Sequence, residues 1–278
     1  MRIGIDIRIA DPQEAGQQRM LWRLGSWLGS AGHEVEFLTV RDQPVDVPLP
    51  EGACLRLLHD VPRARLRDVV AELSLDVFLL NPERSRRYRG VPANVLRAAY
   101  GTEHYRQNLR SVRNPAERAV RQLARWTPWT QADLRWERGF YERPSPQPDV
   151  VCQSRYMKEL ILGSYRIPEE HVHIVPNAID TTEYNPHRRH ALREEMRAHW
   201  GIPDDAVCLL FLGHNFRRKG LWQLLETLAD VGPTDPLVHL LVAGRGTGDR
   251  QRKKAASLIR AHGLEGFVHL AGPVTPPV

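Results

Sequence analysis

The sequence lacks the signatures of several protein classes. It has three cysteines, an odd number without CxxC or Cys/His spacing, which argues against a disulfide framework or a zinc site. No run approaches the roughly 20 apolar residues of a membrane span, and the start, MRIGIDIRI, has no signal-peptide core. The motifs GxSxG, GxxxxGKS/T and HExxH are absent. We therefore expect a cytoplasmic protein with reduced core cysteines (Cys54, Cys152 and Cys208), no metal and no tightly bound cofactor.

Positive charge is what the sequence has in excess. The formal net charge is +6, which favours anionic partners such as nucleotide diphosphates, phosphorylated glycans or an anionic membrane surface, although a merely arginine-rich protein would have the same charge. Residues 84–125 contain eleven arginines against Glu103 and Glu117, and Trp126 and Trp129 follow. This stretch favours anionic headgroups or a phosphorylated acceptor, and equally a solvated basic helix face. An RNA-binding protein is the alternative from another class, although the sequence contains no recognisable RNA-binding motif. We expect no DNA partner.

Short apolar runs alternate with helical patterns along the whole chain. Residues 2–7 (RIGIDI) read as a strand and residues 13–30 as a helix, and the alternation continues to residue 270. This predicts an α/β fold with two Rossmann-like, doubly wound domains, residues 1–180 and 181–278, that face each other across a cleft. We expect Pro128 to kink or split a long helix over residues 114–141. The second domain has about three predicted strands, so we expect it to be incomplete, with an unpaired edge near residues 267–270.

The strongest motif is FLGHNFRRKG, residues 211–220. An apolar strand ends at Gly213, and Arg218 and Lys219 precede a helix that begins near Gly220. A helix N-terminus and two cations at one place suit a diphosphate, although a solvated basic loop would have the same composition.

Weaker signals lie at three other strand ends. Gly244 opens GRGTG after an apolar strand, and Gly16 lies between the first strand and the first helix. His104, with Glu103 beside it, follows a predicted strand at residues 95–99. Each position fits a ligand site at the carboxyl edge of a sheet, and each also fits an ordinary turn or a structural histidine.

The segments VVCQSRYMKELI, VPNAID and GHNFRRKGL, in this order, resemble the retaining GT-B glycosyltransferases of family 4, in the branch of lipopolysaccharide core glucosyltransferases. The resemblance implies transfer of a sugar from a UDP- or GDP-sugar to a glycan or glycolipid acceptor in cell-envelope synthesis, with retention, at the inner face of the cytoplasmic membrane. It also implies roles for individual residues. Arg218 and Lys219 would hold the leaving diphosphate, Gly16, Gly213 and Gly244 would line the nucleotide site, and His104 would lie near the reacting sugar as the catalytic candidate. Glu103 is a second catalytic candidate because of its position beside His104.

The sequence departs from this family at several positions. His214 stands where the family has arginine, Ala178 where it has glycine, and Ala15 precedes Gly16 where two glycines are usual. The acidic E-x7-E segment that holds the donor sugar has no counterpart before Val278. We therefore expect weak transfer by this chain alone. The alternative is a non-catalytic remnant, or a split subunit that needs a partner chain to complete its second domain.

Overall fold

A computed structural model of the protein describes residues 1–10, 16–41, 49–80, 88, 90–98, 115–124, 126–143, 146–179, 181–182, 184–234, 237–244, 246 and 248–274. Contacts divide the chain into two compact units, Met1–Ala178 and Ile179–Val278.

The first unit alternates strands and helices. In chain order these are β1 (Arg2–Asp6), α1 (Gln17–Ser30), β2 (Glu34–Thr39), β3 (Ala53–Leu57), α2 (Leu66–Glu72), β4 (Val77–Leu80), β5 (Val95–Arg97), α3 (Pro115–Ala124), α4 (Pro128–Tyr141), β6 (Asp149–Cys152), α5 (Arg155–Ser164) and β7 (Val172–Ile174). Pro128 splits the long helical pattern as predicted. It occupies the first turn of α4, and Thr127 caps that helix by accepting from the N–H of Thr130.

The seven strands in the described part of the first unit form one parallel sheet, in the order β3-β2-β1-β4-β5-β6-β7. The central strands β1, β2 and β4 show little alternation in burial, and residues such as Ile5, Phe37 and Leu80 are fully buried because helices cover both faces. The strand order reverses direction between β1 and β4. The predicted doubly wound fold is therefore confirmed for this unit, and the switch point lies at the carboxyl ends of β1 and β4.

Glu36 is the most deeply buried charged residue described in this sheet. Glu36 on β2 is almost fully buried, and its carboxylate accepts from the guanidinium of Arg2 on β1 at 3.3 Å and from that of Arg56 on β3. Three neighbouring strands are thus joined by one carboxylate. Because two cations face it, the charge is compensated where it is buried.

The second unit contains a smaller parallel sheet. The helices and strands in the described part of this unit are, in chain order, α6 (Pro186–Trp200), β8 (Val207–Leu212), α7 (Phe216–Lys219), α8 (Leu221–Val231), β9 (Val238–Ala243), α9 (Asp249–Ala261) and β10 (Val268–Gly272). The sheet order is β10-β9-β8. A core that includes Phe211, Leu225, Leu240 and Ile259 packs α8 and α9 against one face of this sheet.

Among the described strands, β8 and β10 each pair on one side only, so the unpaired edge predicted at residues 267–270 is found in the described part of the sheet, and a second one lies at β8. The edge strand β8 exposes its leucine side chains more than β10 does. Leu210 and Leu212 on β8 are 63% and 65% exposed, against 42% for Leu270 on β10. A strand that is apolar on both faces is typical of the middle of a parallel sheet, which is the position that β1 has in the first unit.

The prediction of three core cysteines was wrong for two of them. Cys152 is buried, and burial raises its pKa to about 11. Cys54 and Cys208 are exposed, because β3 and β8 are edge strands whose side chains are only partly covered. An apolar run in the sequence does not distinguish an edge strand from a central one.

Candidate functional site

Glycines form the carboxyl edge of the second sheet. Gly213 follows β8 and donates its N–H to the carbonyl of Ala243 at 3.0 Å, while Gly244 follows β9 and donates to the carbonyl of Gly272 at 2.6 Å. A Cβ on Gly244 would lie 2.0 Å from the carbonyl oxygen of Gly213, and Gly244 has a φ of 136°. The two strand ends therefore approach so closely that only glycine fits at position 244. The edge is left without side chains, as close approach of a ligand to the backbone requires. We call Gly213, Gly244 and Gly272 the glycine edge.

A polar link holds the turn that leaves the glycine edge. Asn215 caps α7, since its Oδ1 accepts from the N–H of Arg218 at 3.0 Å. Gln251 on α9 accepts from the N–H of Phe216 at 3.0 Å and donates to Asn215 Oδ1 at 3.4 Å. Phe216 is buried in the core of the unit. The turn after β8 is thereby fixed to the first helical turn after β9.

Lys219 lies against the glycine edge. Its Cγ would be 3.1 Å from a Cβ built on Gly213, so the aliphatic stem crosses directly over that glycine. Lys219 and Arg218 are both exposed, and neither forms an ion pair with another described residue. Two cations without carboxylate partners near a backbone edge can accept an anion without first breaking an ion pair.

The helix after this basic pair begins at Leu221, close to its predicted start near Gly220. The basic residues themselves form α7, a single helical turn, where the sequence left a basic loop as one alternative. Gly220 has a φ of 86° and links α7 to α8, and none of the side chains that the structure describes caps the N-terminus of α8. The orphan N–H groups and the positive dipole end of α8 therefore lie directly after Lys219.

In the first unit, the turn after β1 is held by a buried glutamine. Gln18 Oε1 accepts from the backbone N–H of Arg8 at 2.8 Å and of Ile9 at 3.1 Å. Thr39, also buried, donates its hydroxyl to the carbonyl of Arg8 at 3.0 Å. Gly16 precedes α1 with a φ of 64°, and among the described residues a Cβ there would meet no atom within 4 Å. Gly16 thus lies between β1 and α1, next to the switch point, and its role at a ligand site stays a prediction.

The structure brings together some of the predicted site residues. Gly213 lies close to both Gly244 and Lys219, and Arg218 is next to Lys219 on α7. His104 and Glu103 lie outside the described residues. The ligand-binding role of each of these residues stays a prediction. Gln18 and Gln251 were missed because their partners lie outside their own helices, 10 and 9 residues away for Gln18 and 35 and 36 residues away for Gln251. The cap at Asn215 is local and could have been found from its place just before a helical turn.

A histidine pair lies on neighbouring strands of the second sheet. The Nδ1 of His239 on β9 is 2.9 Å from the Nε2 of His269 on β10, and their rings are stacked. Burial lowers the pKa of both imidazoles, and Arg197 lowers the pKa of His239 further. Both rings therefore favour the neutral form in the folded protein.

The strand order of the first sheet and the glycine edge of the second are those of the Rossmann-like α/β class, whose ligands bind at the carboxyl ends of the strands. The sequence narrows this class to one family. The model of Glycosyltransferase Family 4 matches residues 15–183, more than half of the chain, and the chain belongs to that family.

Two kinds of comparison add detail. The D-inositol 3-phosphate glycosyltransferase of Corynebacterium kroppenstedtii is 25% identical over 152 residues, which are 49% of this chain and 34% of that protein. The match thus spans about a third of the length of the curated relatives. Among solved structures, WaaG, a glycosyltransferase involved in lipopolysaccharide biosynthesis, has a TM-score of 0.67 at 19% identity, covering 98% of this chain and 70% of that chain. Anabaena Alr3699/HepE in complex with UDP has a TM-score of 0.61 at 14% identity, covering 99% and 70%. These structural likenesses confirm the predicted GT-B fold class.

Proposed function

We propose that this protein transfers a sugar from a nucleoside-diphosphate sugar to a glycan or glycolipid acceptor of the cell envelope, with retention of configuration. Membership of Glycosyltransferase Family 4 supports sugar transfer. The observation that carries the donor assignment is the stem of Lys219 crossing Gly213 at the glycine edge, with Arg218 on the same helical turn. The solved structure of Alr3699/HepE in complex with UDP supports the choice of a uridine nucleotide as the first to test.

The proposed mechanism relies on charge stabilisation. When the bond between the anomeric carbon and the diphosphate breaks, negative charge grows on the diphosphate. Arg218, Lys219 and the N-terminus of α8 would stabilise that charge, and the diphosphate oxygen would help to activate the incoming acceptor hydroxyl. The glycine edge leaves room for the diphosphate to approach the backbone. His104 and Glu103 are proposed to lie near the reacting sugar and to position it.

The experiment is calorimetric titration of UDP and of uridine, which lacks the diphosphate. The double variant Arg218→Gln/Lys219→Met removes both charges but keeps most of each side chain, including the Lys219 stem over Gly213. We expect UDP affinity to fall roughly 10- to 100-fold, because exposed charge-assisted contacts contribute about 1 kcal/mol or slightly more each. Uridine affinity should not change. Lys253→Met/Arg260→Gln on α9 is the control, with the same change of charge in the same unit. Equal UDP affinity in the wild type and the Arg218/Lys219 variant would refute the donor site.

Catalytic roles require a transfer assay. His104→Ala and Glu103→Gln should lower kcat without weakening UDP binding, since both are assigned to the sugar and not to the nucleotide. Retention is tested by NMR of the product. An α-linked donor should give an α-linked product, and a β-linked product would overturn this part of the proposal.

A second candidate is a subunit that needs a partner chain. Its specific support is the free edge of β8, where Leu210 and Leu212 are largely exposed although the strand is apolar on both faces. A parallel strand beside β8 would cover this edge, as β4 covers β1 in the first unit. The purified chain should then be a poor transferase alone. Robust turnover by the chain by itself, with light scattering showing a monomer, would exclude this candidate.

A further inference from the structure

Two arginines follow the first two strands of the chain at equivalent places. Arg8 lies two residues after the end of β1, and Arg41 lies two residues after the end of β2. Because β1 and β2 are adjacent and parallel, both arginines stand at the carboxyl edge of the first sheet, and Arg8 is next to the switch point. In open α/β sheets this edge is where ligands bind. We call Arg8 and Arg41 the arginine pair.

A buried hydroxyl holds the main chains of the arginine pair together. Thr39, which is fully buried, donates its hydroxyl to the carbonyl of Arg8 at 3.0 Å, and the same oxygen accepts from the N–H of Arg41 at 3.2 Å. Gln18 fixes the other side of Arg8 by accepting from its N–H at 2.8 Å. Since one oxygen atom bonds to both residues, the two arginine side chains leave the backbone at neighbouring points of a fixed turn.

The charges of the arginine pair face solvent without a carboxylate partner. Arg8 and Arg41 are exposed, and neither forms an ion pair with another residue that the structure describes. At the end of the neighbouring strand β3, the carboxylate of Asp60 contacts His59 at 2.9 Å instead. The backbone of the pair is thus fixed by buried polar groups while its guanidinium groups stay accessible. Such a pair suits an oxyanion, because the planar guanidinium matches phosphate and carboxylate oxygens bidentately.

We propose that the arginine pair binds a phosphate group of the sugar acceptor. The assignment to the acceptor rests on the proposed function, in which Arg218 and Lys219 of the second unit hold the donor diphosphate, so that a cation pair of the first unit is left for the other substrate. A phosphate monoester carries close to two negative charges and three acceptor oxygens, which two guanidinium groups can satisfy together. A carboxylate carries one charge and is satisfied by a single guanidinium. The class of acceptor is therefore a phosphorylated sugar, polyol or glycan.

The test is calorimetric titration of the whole protein at about pH 8, where a phosphate monoester carries close to two charges. The three probes are glucose 6-phosphate, glucuronate and glucose, which differ in having a phosphate, a carboxylate or a hydroxyl at the same end of the sugar. Saturating UDP is present to keep the phosphate probe from the donor site. We expect the wild type to bind the phosphate probe more tightly than glucuronate, and glucose not measurably. Arg8→Gln/Arg41→Gln should weaken binding of the phosphate probe at least about 10-fold and leave UDP affinity unchanged.

Two further variants separate charge from geometry. Arg63→Gln/Arg67→Gln is the matched control, since both arginines are exposed in the same unit and form no ion pair with a described residue. This control should bind the phosphate probe as the wild type does. Arg8→Lys/Arg41→Lys keeps both charges but loses the bidentate fork, and it should retain only part of the affinity.

Four results would overturn the proposal. They are no binding of the phosphate probe by the wild type, equal affinity in the wild type and the Arg8/Arg41 glutamine variant, glucuronate binding as tight as that of the phosphate probe, and loss of UDP binding in that variant. The last result would assign the arginine pair to the donor. A wild type that binds no UDP, but still binds the phosphate probe more tightly than the glutamine variant does, would refute the donor site of the proposed function and support the arginine pair as a phosphate site.

Discussion

The close approach of β8 and β9 at the glycine edge makes Gly244→Ala a severe substitution. The added Cβ would lie 2.0 Å from the carbonyl oxygen of Gly213 and 2.7 Å from its carbonyl carbon, and both atoms belong to the backbone, which cannot rotate away. The strand ends must then separate. The positive φ of 136° adds a second cost, because an L-residue with a side chain rarely adopts it.

A matched control separates these two costs. Gly263 follows α9 in the same unit with a φ of 64°, and a Cβ there would meet nothing within 4 Å. Gly263→Ala therefore has only the backbone penalty, about 1–2 kcal/mol. Gly244→Ala has a similar penalty and in addition the overpacking cost of about 1–3 kcal/mol. We expect Gly244→Ala to be about 2 kcal/mol more destabilising than the control. For a unit of this size, that difference lowers the Tm of the unit by about 10 °C.

Urea unfolding and scanning calorimetry of both variants measure this difference, and UDP titration adds a functional readout. Gly244→Ala should also weaken UDP binding, because separating the strand ends moves Gly213 away from the Lys219 stem. The control should bind UDP as the wild type does. If Gly244→Ala were no less stable than Gly263→Ala, the backbone contact between positions 213 and 244 would not exist as described, and the glycine edge would lose its structural basis.

Two further predictions concern buried polar groups. Gln18→Ala should destabilise the first unit by about 1–3 kcal/mol in urea unfolding, because two backbone N–H groups after β1 lose their acceptor. Gln17→Ala, next to it, should cost less, since its Nε2 has no hydrogen-bond partner in the described part of the chain, and equal losses would contradict this role of Gln18. The pKa values of His239 and His269 are lowered in the folded protein, so the unfolded chain binds protons more readily. The contribution of the two neutral imidazoles to the free energy of unfolding is therefore complete above the unfolded pKa of about 6.5, and it is lost as the pH falls through the lower pKa values of the folded state. His269→Gln should flatten the fall in Tm between about pH 7.5 and 5, and a slope as steep as that of the wild type would exclude the pair as its source.

Sequence patterns predicted those parts of the fold that depend on local spacing. The strand β1, the helix α8 and the break at Pro128 follow from apolar periodicity and from proline's missing N–H. The motif around Gly213 and Lys219 was visible because strand, glycine and cations are adjacent along the chain.

Features that depend on distant partners were not predictable in this way. Gln18 is a buried acceptor only because the turn after β1 folds back onto α1. Gln251 is 36 residues from Asn215, and its link forms only when two strand–helix turns meet. Cys208 was assigned to the core because VCLLFL looks like a central strand, and only the sheet order shows that β8 lies at an edge. Whether a strand's side chains are buried depends on which strands and helices pack against it, and a local sequence pattern does not contain that information.

The three-strand contact of Glu36 has a consequence for how the first sheet assembles. Strands that are apolar on both faces can pair in several registers with little difference in hydrophobic burial. A slip of β2 by one residue would turn the Glu36 carboxylate to the opposite face, away from Arg2 and Arg56. An uncompensated buried carboxylate costs about 3–5 kcal/mol, a large fraction of the stability of a domain. Glu36 therefore favours the observed register, in which its carboxylate faces both arginines, over a register shifted by one residue.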